Sequence, residues 1–186
     1  MTTASWASMD TTAGASSPGD SADSVVTTQS GASIGPQVTV GTVRRFNDLS
    51  GKYGLGEFIY LPGVASLAVG DVVEYNLSAG VAFTDATVVR WAGTAGTGKA
   101  LAVATTANTS ALTFSWYQIG GAAVVSTSGT VAAGDKAFWQ ATGTVSTTQV
   151  NGKQVLGMTA FSANGVPSAN KAIYTLDRPH SQGQVV

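Results

Sequence analysis

From Pro36 onward the chain is a succession of short β-branched and aromatic runs, each closed by Gly, Asn, Asp or Ser. Runs this short cannot make stable helices, and turn-forming residues at their ends fit strands joined by tight turns. The spacing predicts strands over Val38–Phe46, Glu57–Leu61, Asp71–Asn76, Val81–Phe83, Thr87–Ala92, Leu112–Ile119, Ala122–Ser126, Lys136–Ala141, Lys153–Phe161 and Lys171–Leu176. In Leu112–Ile119 the apolar side chains take alternate positions up to Tyr117, so one face packs and the other meets water or a neighbour. Lys99–Thr106 is the one segment read as helical, against the poor helix propensity of its Thr and Val residues. Many strands with almost no helix predict an all-β protein, a small β-barrel or β-sandwich/tulip-like body.

Two of the predicted strands share an entry. Val69-Gly70-Asp71-Val72-Val73-Glu74-Tyr75 and Ala133-Gly134-Asp135-Lys136-Ala137-Phe138-Trp139 both read small-Gly-Asp and then a strand with an aromatic at its end. Gly supplies the positive φ of a tight turn and Asp caps backbone amides as the strand begins. That account of Asp71 and Asp135 needs neither a metal nor catalysis.

Residues 1–35 have a different texture, a low-complexity run of Ala, Ser, Thr and Gly whose only charges are Asp10, Asp20 and Asp23. Such a segment has no core of its own. It reads as an extended N-terminal arm on a single β domain, residues 36–186, that finishes in a short C-terminal tail. Isolated apolar residues stand in or beside the arm: Trp6, Met9, Val25, Val26 and Ile34. These are the expected contact residues toward a partner or neighbouring subunit, with Trp6 as anchor, because large aromatics dominate binding hot spots.

Charge and composition exclude several function classes. Only 10% of the 186 residues are charged, the net charge is -1, and no basic cluster exceeds Arg44-Arg45, so a nucleic-acid partner is not expected. Without cysteine there are no disulfides or thiolate metal sites. No basic segment followed by an apolar run opens the chain, and no stretch is long enough to span a bilayer. The expectation is a soluble protein made in the cytoplasm, with no membrane partner.

Gly93-Thr94-Ala95-Gly96-Thr97-Gly98-Lys99-Ala100 matches a phosphate-binding loop, but Ala100 stands where Mg²⁺ requires a hydroxyl and Leu101–Thr109 makes a poor helix. The single histidine, His180, lies in the tail between Pro179 and Ser181, where a rigid general base is hard to hold. Glu57 and Glu74 are a formal carboxylate pair with nothing around them to suggest glycosidase chemistry. Asn76-Leu77-Ser78 and Asn108-Thr109-Ser110 are sequon matches that matter only in a eukaryotic secretory context. No catalytic residue, metal ligand or cofactor site is assigned, and the protein is not read as an enzyme.

From Glu57 to the C-terminus the chain resembles tailed-phage capsid decoration, or cement, proteins. The resemblance is carried by Leu67-Ala68-Val69-Gly70-Asp71-Val72-Val73, Trp116-Tyr117-Gln118-Ile119-Gly120-Gly121-Ala122-Ala123-Val124, Thr130-Val131-Ala132-Ala133-Gly134-Asp135-Lys136-Ala137-Phe138, Val155-Leu156-Gly157-Met158-Thr159-Ala160 and Ala172-Ile173-Tyr174-Thr175-Leu176-Asp177-Arg178-Pro179. Their order and spacing cover about two-thirds of the chain. The resemblance implies a small Ala/Gly/Val-rich β protein on the capsid exterior of a virion, made in the host bacterial cytoplasm, partnered by the major capsid protein and by itself as a homotrimer. The arm is longer than in compact members of such families. The alternative is a carbohydrate- or receptor-binding module of a phage fibre, which would set Trp91, Tyr117 or Trp139 on an exposed platform.

Overall fold

The computed structural model describes residues 6–8, 23–24, 38–77, 86–108 and 113–183. Among them the protein is all-β, built on a large antiparallel sheet that is not closed. The strands are β1 (Trp6–Ser8), β2 (Asp23–Ser24), β3 (Val43–Asp48), β4 (Leu55–Pro62), β5 (Val72–Leu77), β6 (Ala86–Arg90), β7 (Ala100–Ala104), β8 (Thr113–Ser126), β9 (Lys136–Ala141), β10 (Thr144–Ser146), β11 (Gln154–Ala160) and β12 (Lys171–Ser181).

The faint sequence repeat proves to be a repeat of architecture. β5 and β6 pair as a hairpin, β7 returns along the other edge of β5, and β8 follows against β7. β9 and β10, then β11, then β12 do the same. The two spatial orders, β6-β5-β7-β8 and β10-β9-β11-β12, are one plan used twice. The entry turns are wired identically. Gly70 and Gly134 both sit at φ 90°, Ala68 N–H donates to Asp71 Oδ2 at 3.1 Å, and Ala132 N–H donates to Asp135 Oδ2 at 2.8 Å. Gly70 N–H reaches the Ala104 carbonyl that ends β7, and Gly134 N–H reaches the Ala160 carbonyl that ends β11, both at 2.7 Å.

β8 joins the halves. Its second part, Gly120–Ser126, pairs with Lys171–Asp177 of β12, while its first part, Phe114–Gly120, pairs with Glu57–Pro62 of the β3–β4 hairpin. The change of partner coincides with a bend at Gly120-Gly121. Gly121 adopts φ 84°, and a Cβ there would strike the Leu55 carbonyl. β1 pairs with β3, and β2 with Thr113–Phe114 of β8, so parts of the arm add strands to the body.

Three apolar clusters fill the structure. One contains Trp91, Leu101, Val103, Val125, Met158, Tyr174 and Leu176, inside the region bounded by β7–β12. A second packs Ile59, Leu61, Val73, Ala102, Ala104 and Tyr117 between β4, β5, β7 and β8. The third is aromatic, with Phe46, Phe58, Tyr60, Phe114 and Trp116 on β3, β4 and β8. Its rings meet mostly edge to face, as between Phe46 and Phe58 at 5.4 Å, the arrangement aromatic quadrupoles favour.

The segment read as helical is instead strand β7. Its alternation explains why: Leu101 and Val103 enter one cluster while Ala102 and Ala104 enter another, so period two satisfies both sides. The tail also proves to be strand. β12 turns a corner at Arg178, φ 43°, and carries on through His180, which pairs with Ala100 and Leu156. Leu112–Ile119 and Ala122–Ser126 are one strand, β8. Val81–Phe83 lies outside the described residues.

Two buried tyrosines make opposite predictions. Burial pushes both Tyr117 and Tyr174 up to about 12, yet the Tyr117 hydroxyl donates to the Pro62 carbonyl at 3.2 Å whereas that of Tyr174 has no hydrogen-bond partner among the described residues. An orphaned buried hydroxyl costs free energy that its removal recovers. Tyr117→Phe should therefore lower stability by about 1 kcal/mol, and Tyr174→Phe should leave it unchanged or raise it by a similar amount. Urea unfolding of the two variants checks the sign.

Candidate attachment surface

Three loops meet at one end of the molecule, around the start of β12: residues 66–71, 127–135 and 161–170. Hydrogen bonds tie them together. Asn164 donates through Nδ2 to the Gly129 carbonyl at 2.8 Å, accepts at Oδ1 from Thr127 Oγ1 at 2.7 Å, and gives its backbone N–H to the Val131 carbonyl at 3.1 Å. Ser162 Oγ accepts the Ile173 N–H at 2.9 Å, and Ser126 N–H donates to the Gly70 carbonyl at 2.7 Å. Loops cross-tied in this way present a fixed surface.

Beneath them the Asp71 turn is elaborated well beyond its repeat partner. Asp71 Oδ2 pairs with Arg90 Nη2 at 2.7 Å and Asp71 Oδ1 accepts from Ser126 Oγ at 2.9 Å. Lys171 Nζ donates to Ser126 Oγ at 2.6 Å and to the Val69 carbonyl at 2.5 Å. Arg90 also donates to the Ser66 carbonyl. Burial pulls the Lys171 ammonium below its ordinary value, and the Asp71 charge opposes that shift. A serine beside a depressed lysine has the composition of a nucleophile and its base. Here the serine proton is directed to Asp71, and Ser126 is 5% exposed. A substrate carbonyl has no approach to it, and the network acts as a brace for the loops.

The chemistry of this end is that of a contact surface. Asp71, Arg90, Asp135 and Lys171 are committed to hydrogen bonds and ion pairs within the loops. Among its exposed side chains are large apolar ones: Phe161 is 68% exposed, Val166 46% and Val69 41%. An exposed phenylalanine on a fixed, charge-poor surface is the kind of group that buries against a partner.

Of the residues singled out in the sequence, Asp71 and Asp135 cap the turns at this end. Trp6 is on β1, its backbone opposite Asp48, while Met9, Val25, Val26 and Ile34 lie outside the described residues. Trp91 and Tyr117 are buried in the cores. Trp139 is partly buried, covers Gly93, and carries Lys153 Nζ 4.1 Å from its ring centre. Gly93–Lys99 is a loop that runs into strand β7, and Lys99 lies 3.6 Å from Glu74. Glu57 pairs with Arg178 at 2.7 Å, so the two glutamates answer to different cations. His180 is exposed on β12, with Nδ1 3.3 Å from the Arg178 carbonyl. No group of three or more metal-ligating side chains occurs among the described residues.

Phe161 was readable only as the last residue of a predicted strand. The structure ends β11 one residue earlier, at Ala160, which leaves the ring in the loop. The sequence signal was an aromatic directly before Ser162-Ala163-Asn164-Gly165, a turn-forming run. Compared with known protein families, curated proteins and solved structures, the chain matches none of them.

Proposed function

We propose that the protein is a structural component of a tailed-phage virion that binds the outer face of the capsid and stabilises it, attaching through the end that carries Phe161. The observation behind this reading is the combination of a hydrogen-bonded loop surface, Asp71 and Lys171 committed to bonds within it, and an exposed aromatic on loops that also expose Val166 and Val69. The resemblance of the strand-and-turn segments to decoration proteins supplies the partner, the major capsid protein, and the expectation of a homotrimer on the shell. The burial of Trp91 and Tyr117 supports this over the glycan-binding alternative, which requires such rings on an open platform.

The test is binding of purified protein to undecorated capsids of the parent phage. Phe161→Asp should reduce occupancy by an amount on the order of 2 kcal/mol, as for a true hot spot, while circular dichroism stays native. Full occupancy by both Phe161→Asp and Val166→Asp would remove this end from attachment. A map of the decorated virion, together with light scattering of the free protein, tests the trimer; isolated copies that never touch on the shell would refute it.

A further inference from the structure

The sequence holds two Asn-Gly pairs, Asn151-Gly152 and Asn164-Gly165. Glycine offers the least hindered backbone nitrogen to a preceding asparagine, so the pair is chemically labile wherever side chain and backbone are free to meet. The structure treats the two pairs in opposite ways.

Asn164 is held on three sides. Its Oδ1 accepts from Thr127 Oγ1 at 2.7 Å and from Gly165 N–H at 3.0 Å, and its Nδ2 donates to the Gly129 carbonyl at 2.8 Å. The Gly165 nitrogen that would attack is further committed to the Lys171 carbonyl at 2.8 Å. Asn151 is exposed in a turn closed by Lys153 N–H on the Val150 carbonyl at 3.1 Å. Among the described residues neither its side-chain amide nor the Gly152 N–H makes a hydrogen bond.

We propose that Asn151 is a site of spontaneous deamidation in the folded protein and that Asn164 is protected by its hydrogen bonds. The Gly152 backbone nitrogen loses its proton and attacks the Asn151 side-chain carbonyl carbon. The new C–N bond closes a succinimide ring, and the side-chain nitrogen leaves as ammonia. Solvent water then opens the ring at either carbonyl, giving aspartate or isoaspartate. The product adds a negative charge next to Lys153, which lies over the Trp139 ring. Isoaspartate also lengthens the backbone just ahead of Gly152, whose carbonyl accepts the Gly96 N–H at 3.0 Å. The change is thereby passed to the Gly93–Lys99 loop.

The full-length protein is aged in mildly alkaline buffer, folded and in urea, and digested for peptide mapping with isoaspartate detection. In urea both sites should react at similar rates. Folded, Asn151 should react at least about tenfold faster than Asn164, equivalent to a barrier difference of about 1.4 kcal/mol. Asn151→Gln should abolish the main product, and Thr127→Ala should speed reaction at Asn164 without altering Asn151. Equal rates in the folded chain, faster reaction at Asn164, or no reaction at Asn151 while the urea sample reacts would each overturn the assignment.

Discussion

Gly121→Ala is expected to yield no folded protein, while Gly129→Ala costs about 1–2 kcal/mol, the ordinary penalty for an L side chain in the left-handed region. Both glycines have positive φ, 84° and 77°. They differ in what surrounds them. Around Gly129 a Cβ meets nothing within 4 Å, whereas at Gly121 it strikes the Leu55 carbonyl and lies 3.1 Å from Gly56 Cα. Those are backbone atoms of β4, with no side chain to swing aside. The added methyl must push β4 away from β8 where β8 changes partners, pulling apart the second and third clusters, to which both strands contribute. Circular dichroism and soluble yield distinguish the two outcomes. A folded Gly121→Ala protein of near-normal stability would show that the bend relaxes.

Asp71→Ala comes next in size, and its repeat partner provides the control. Both carboxylates cap an identical turn, so Asp135→Ala should cost about 1 kcal/mol, the worth of a hydrogen bond of this kind. Asp71 additionally neutralises Arg90 at 2.7 Å and accepts from Ser126, which in turn accepts from Lys171. Removing it leaves Arg90 without its carboxylate and the Ser126 hydroxyl, which still accepts from Lys171, without its acceptor. The loss of one member of a buried pair costs about 3–5 kcal/mol, and partial exposure of Arg90 places the expectation at the lower end. Asp71→Asn, which keeps the shape and loses the charge, should fall between the two alanine variants. Urea midpoints at constant slope give the comparison, and equal losses for Asp71→Ala and Asp135→Ala would disprove the brace.

The turns and strands around these residues were largely legible because their signals are local. Lys136–Ala141 has the same bounds in sequence and structure, and the small-Gly-Asp entry told correctly what Gly70 and Gly134 do. The misreadings share a cause in tertiary context. Gly120-Gly121 looked like a turn between two strands because glycine usually punctuates, but pairing with β4 and β12 on either side keeps the bent segment in one strand. Ala100–Ala104 falls inside Lys99–Thr106, the one segment read as helical, but apolar clusters on both faces make alternation the better use of Leu101 and Val103. Thr144–Ser146 is too short to show a period. The exposed end was the least legible part. Val69 is far in sequence from Phe161 and Val166, and only the loop hydrogen bonds bring the two segments to one end, whereas the anchors readable in the chain were those isolated by low complexity, Trp6 foremost.

The double use of β8 also governs how the chain can be made. Synthesis delivers β4 first, β8 later and β12 last, so as β8 leaves the ribosome one of its edges can pair at once and the Gly120–Ser126 edge cannot. That edge stays open until Lys171–Asp177 has been translated, and an open strand edge is a template for foreign chains. Its sequence, Gly-Gly-Ala-Ala-Val-Val-Ser, begins with two glycines of low strand propensity. The glycines that bend the finished strand thus also keep the nascent one a poor template during the wait.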